Sequence, residues 1–103
     1  MVIYEVNLEI DTEVAADYLE WLKPHIRDVL ACDGFLDAEL FEIETEADSD
    51  RLRYSVRYSV LDREALDAYF EGPAQALRAD GAQRFSNRFS ASRRIMTSRG
   101  AFP

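Results

Sequence analysis

His25, Trp21 and Cys32 are each the single residue of their kind in the chain, and all fall within or just after one amphipathic stretch. An imidazole is the side chain whose unperturbed proton equilibrium lies near neutral pH, so His25 is the one catalytic candidate. No motif around it specifies a reaction. It follows Trp21 by four residues and therefore stands beside it on a helix. Tyr4, Tyr58 and Arg93 share the parity of neighbouring apolar residues in three alternating segments. Brought together, Tyr4, Trp21, His25, Tyr58 and Arg93 would make an aromatic-walled cavity. There His25 would exchange a proton and Arg93 would hold an anionic or enolic oxygen. The competing reading is structural: His25 and the tyrosines satisfy one another as buried polar groups, while Arg93 snorkels to a sheet edge or pairs with an acid.

Other groupings carry less chemistry. Ser90 and Ser92 have no neighbouring base in sequence, which disfavours a serine nucleophile. Glu42, Glu44, Glu46, Asp48 and Asp50 lack the glycine and spacing of a calcium loop and read as a solvated hairpin tip. Arg84, Arg88, Arg93, Arg94 and Arg99 divide between two strand faces. No phosphate loop or metal-ligand cluster occurs, so neither a metal nor a cofactor is expected.

The positioning elements follow from periodicity. Val2 to Ile10 alternates, with Val2, Tyr4, Val6, Leu8 and Ile10 on one face. From about Thr12 to Ala31 a helix gathers Val14, Tyr18, Trp21, Leu22 and Val29 into one stripe, with Asp11 or Thr12 as its cap and a bend at Pro24. Cys32 falls on its buried side, and Gly34 suits a left-handed end. Phe35 to Thr45 reads as a strand whose apolar parity slips, which predicts a bulge near Leu40. A polar turn leads to a strand over Arg51–Val60. Asp62 then caps a helix burying Leu66, Tyr69 and Phe70, Pro73 opens a further helical segment that Gly81 should end, and Asn87–Ser98 is the last strand.

Strand, helix, strand, strand, helix, strand with right-handed crossovers is the α+β, ferredoxin-like βαββαβ arrangement, with sheet order 4-1-3-2 and both helices on one face. Pairing Tyr4 with Tyr58 sets Glu5 opposite Arg57, Asn7 opposite Ser55 and Glu9 opposite Arg53, all favourable cross-strand pairs. His25 lies about 16 Å along the helix from Val14 at 1.5 Å per residue, which places it over Tyr4.

The 103 residues suit a single domain, 1–103, with an ordered core over about 2–98. Net charge is −8, against nucleic acid as a partner, but residues 1–50 carry 15 acidic and 2 basic groups and residues 51–103 carry 5 and 10. The proposed register cancels most of that asymmetry within the sheet. No apolar run is long enough to span a membrane, no signal segment is evident, and one cysteine forms no internal disulfide; these features suggest a cytoplasmic protein.

Ile3-Tyr4-Glu5-Val6, Glu20-Trp21-Leu22-Lys23 with His25-Ile26, Gly34-Phe35-Leu36, and Arg88-Phe89 with Ala91-Ser92-Arg93-Arg94 resemble a family of short bacterial proteins of unknown function. That family is similar to the dimeric α/β-barrel superfamily, which includes antibiotic-biosynthesis-type monooxygenases. The resemblance spans about Ile3 to Met96. It implies a homodimer closed through the open sheet face, with a small-molecule pocket between helix and sheet, and it transfers no catalytic residue.

Three functions compete. A non-catalytic dimeric module ranks first. Close behind is a small-ligand-binding or cofactor-independent monooxygenase-like enzyme acting on an aromatic or enolisable metabolite. An anion or nucleic-acid binder using the basic half ranks last. Residue patterns alone leave open whether the protein is an enzyme.

Overall fold

The computed structural model describes residues 1–103. Its strands are β1 (Val2–Asp11), β2 (Phe35–Ile43), β3 (Arg51–Val60) and β4 (Phe89–Thr97); its helices are α1 (Ala15–Leu30), α2 (Arg63–Glu71) and α3 (Ala74–Phe85). The sheet is antiparallel, in the order β2-β3-β1-β4. The molecule measures 38 × 37 × 18 Å, a slab of one helical layer on one sheet.

Between β1 and β3 the register is the one charge pairing predicts: Tyr4 faces Tyr58, Glu5 faces Arg57, Asn7 faces Ser55 and Glu9 faces Arg53. On the helix-covered face Tyr4, Leu8, Ile10, Val56, Tyr58 and Val60 join Tyr18, Leu22, Val29, Leu66 and Tyr69 in one core. Burial of these side chains contributes about 1.5–3 kcal/mol each for the large aliphatic and aromatic ones.

The opposite face is a lattice of ion pairs. Glu5 is only 2% exposed, because Arg57 (2.8 Å) and Arg94 (2.6 Å) close over it. Arg53 binds Glu9, while Arg51 and Arg88 share Asp11. The basic half of the chain is thus largely neutralised by the acidic half.

Four local expectations are corrected. The slip in β2 lies between Phe35 and Asp37, not near Leu40. Leu36 is consequently exposed, while Phe41 and Ile43 lie on the open face, opposite Ser55 and Arg53. Asp11 and Thr12 make no helix cap: Thr12–Val14 forms a 3-10 turn, and the Asp11 carboxylate binds Arg51 and Arg88, a stronger charge-assisted use of its oxygens. Cys32 is only half-buried. Gly81 lies inside α3 rather than at its end. The chain leaves that helix at Ser86, whose φ is +45°. Gly34, by contrast, takes the left-handed conformation its type predicts, with φ +84°.

Candidate functional site

A partly open cavity of about 60 Å³ lies between the helices and the sheet. Tyr4, Trp21, His25, Tyr58 and Arg93 all line it, two delivered by helical spacing and three by strand alternation. In α1 the four-residue spacing stacks His25 on Trp21, centroids 4.5 Å apart and planes 24° from parallel. The inward parity of β1 and β3 stacks Tyr4 on Tyr58 at 5.7 Å. Arg93 shares that face on β4, but it pairs with Val6, and the residue opposite Tyr4 is Ile95.

Four further residues join these at the cavity, of which Arg78 and Gly81 escape the periodicity reading. Tyr18 and Tyr69 supply two more hydroxyl-bearing rings, and α3 supplies Arg78 and Gly81. A helix ending at Gly81 cannot show Arg78 and Gly81 as one face; α3 runs four residues further, and their three-residue spacing puts both on the cavity side. Gly81 is required there by contact: a Cβ on it would stand 2.6 Å from Trp21 Cη2. Trp21 Nε1 donates to Asp80 Oδ2 at 2.6 Å, and Arg84 braces the same carboxylate at 3.2 Å. These bonds hold the indole against α3 as one wall.

Arg78 Nη2 donates to Tyr4 Oη at 2.9 Å, and its side chain lies over the Phe70 ring, 5.6 Å from the centroid. Arg78 Nε is buried with no partner. No hydrogen bond links His25 to any tyrosine, and the hydroxyls of Tyr18, Tyr58 and Tyr69 find none within the protein. The lining contains no carboxylate. Apart from the Arg78–Tyr4 bond, the polar groups around the cavity therefore do not satisfy one another, as a plain core would require.

Burial raises the Tyr18 and Tyr69 hydroxyls to about 12, and it raises Tyr58 too. All three remain protonated at neutral pH and able to donate. Burial also holds His25 below its ordinary 6.5; Asp28 and Asp80 oppose that shift and Arg93 adds to it. A neutral imidazole beside protonated phenols has one nitrogen free to accept a proton. No cluster of three or more His, Cys, Asp or Glu side chains is arranged to hold a metal.

Fold and cavity together define an α+β protein of the ferredoxin-like kind, with an internal chamber beneath its first helix. The chain belongs to the family described as a domain of unknown function, DUF4286, whose model it matches over residues 1–99. No curated protein matches it in sequence. Among solved structures it is similar to SnoaB, a cofactor-independent oxygenase from Streptomyces nogalater, at TM-score 0.70 and 16% identity, covering 99% of this chain and 97% of that one. The heme-degrader MhuD of Mycobacterium tuberculosis, solved with two hemes bound in its active site, is 20% identical at TM-score 0.70, covering 100% of both chains. A Deinococcus radiodurans protein assigned as an antibiotic biosynthesis monooxygenase is 15% identical at TM-score 0.75, covering 100% of this chain and 97% of that one. At such identities the likeness is one of fold. No helix is long and apolar enough to cross a membrane.

Proposed function

We propose that this protein binds a small molecule in the chamber between α1, α3 and the sheet, as a homodimer, and that its chemistry is cofactor-independent proton transfer at His25. The observation that carries this reading is the unpaired polarity of the chamber. A solely structural core would have joined these groups in hydrogen bonds; here they face shared space. In the catalytic form of the reading, His25 accepts the proton of an enol, and a guanidinium holds the resulting oxyanion. The fold shared with SnoaB, a cofactor-independent oxygenase, supports that class by analogy only. A heme, the ligand in MhuD, is a poor match to a space of about 60 Å³.

Dimerisation is supported by the uncovered face of an 18 Å slab. Ser55 Oγ is buried there without a partner, and Phe41 and Ile43 remain 36% and 38% exposed on the same side. A second copy packed sheet to sheet would cover both and enclose the ion pairs.

A second reading, the non-catalytic dimeric module, is favoured by the small chamber and the close fit of Trp21 on Gly81. Native mass spectrometry of the untagged protein separates these outcomes. A dimer carrying a discrete extra mass, released on denaturation, is expected. A bare dimer would transfer the preference to the module, and a bare monomer would overturn both parts.

A further inference from the structure

We infer that the ligand is a small organic anion of about four to six non-hydrogen atoms, whose carboxylate or enolate oxygens sit between Arg78 on α3 and Arg93 on β4. This rests on the proposed ligand-binding role of the chamber and assigns the class of molecule it takes.

Charge accounting across the molecule singles out these two side chains. Acidic residues outnumber basic ones by 20 to 12. Arg51, Arg53, Arg57, Arg63, Arg84, Arg88 and Arg94 each bind a carboxylate. Lys23, Arg27, Arg78, Arg93 and Arg99 bind none, and of these Arg78 and Arg93 line a chamber whose lining contains no acid. A guanidinium is charged in any protein environment, and burying a donor such as Arg78 Nε without an anion costs free energy, while the exposed Arg93 reaches the cavity from its solvent side. In a chain this rich in carboxylates, two unanswered guanidiniums facing one cavity leave room for an anion from outside.

The donors are also arranged for oxygen. Arg78 gives one N–H to Tyr4 Oη and keeps a buried Nε–H unanswered. Because Tyr4 Oη accepts from Arg78, its own proton is left for another acceptor. Arg93, exposed on β4, lines the same cavity as Tyr18, His25, Tyr58 and Tyr69 and acts electrostatically on all four, though burial is the larger influence on each. An oxyanion would thus meet two guanidiniums from opposite layers and several phenolic donors. Each charge-assisted bond of that kind is about twice as strong as a neutral one.

Volume sets the size. A buried water occupies about 10–15 Å³ of such space, so a chamber of about 60 Å³ takes a molecule of acetate or pyruvate size.

The single Trp21 lines the chamber, so its fluorescence reports occupancy directly. The full-length protein is titrated with sodium acetate and with its neutral isostere acetamide, at constant ionic strength. Acetate should give a saturable change, and acetamide at least tenfold weaker binding. Arg93→Met, on an exposed strand position, should weaken acetate at least fivefold without unfolding the protein, and Arg78→Met should do so if it folds. Arg27→Met, which removes an exposed arginine outside the chamber, should bind acetate as the parent does. Equal binding of acetate and acetamide, or undiminished acetate binding by Arg93→Met, would overturn the anion assignment and leave the chamber as a site. If neither acetate, acetamide nor phenol perturbs Trp21 and no mass is retained in native spectra, the anion assignment and the ligand reading both fall.

Discussion

Glu5 and His25 are two ionisable side chains whose environments were changed most consequentially by folding, in opposite settings. Glu5 is held down to about 2 by its hydrogen bond to Arg94, with Asn7 and Arg57 adding and burial opposing. Its unfolded value is 4.5, so its stabilisation is complete above that pH and drains away as pH falls toward 2. Glu5→Gln should therefore cost about 2 kcal/mol at pH 7 and flatten the loss of stability between pH 4.5 and 2, read from urea midpoints. His25 behaves differently. Its folded form favours the neutral ring, so stability is full above about 6.5 and declines as pH drops below it, while the unfolded chain takes up the proton first. His25→Gln should remove that decline below pH 6.5 in the same measurement. At pH 7.5 it should leave the midpoint within about 1 kcal/mol and abolish any retained ligand. A large loss at pH 7.5 with ligand kept would instead assign His25 to packing.

At the scale of elements, the contact of α3 with α1 depends on a missing side chain. Gly81→Ala in an ordinary helix interior would stabilise by about 1 kcal/mol. Here the new Cβ meets Trp21 ring atoms at 2.6, 3.1 and 3.2 Å, and the indole is pinned by Asp80. The substitution should destabilise by about 1–2 kcal/mol and shift Trp21 emission, and a stabilised protein would refute the tight seat. Gly34 differs in cause. Its φ of +84° and a Cβ that would overlap that of Ala65 both exclude a side chain, so Gly34→Ala should cost about 1–3 kcal/mol in thermal unfolding.

For the whole molecule, the open face decides the assembly. Its acids and arginines already pair within one chain, so a partner would not supply missing charge. What it would cover is Ser55 Oγ and the apolar margin of β2. Phe41→Glu together with Ile43→Glu should therefore shift sedimentation from dimer to monomer while leaving the far-UV circular dichroism unchanged. A parent protein that already sediments as a monomer would remove the dimer.

Strand and helix periodicities determined the order of elements, the inward set of β1, β3 and β4, and the β1–β3 register. Alternation and opposite charges across strands act over a few ångströms and are readable locally. Tyr4, Trp21, His25, Tyr58 and Arg93 could be assigned to one layer for the same reason. The extent of α3, the place of the β2 slip and the presence of Arg78 in the chamber were not so readable. Gly81 breaks a helix by propensity, yet the Trp21 ring requires it inside one; Leu36 is apolar, yet the bulge turns it outward. Those outcomes depend on residues from distant elements meeting in space, and packing overrides local preference wherever a single neighbour occupies the volume.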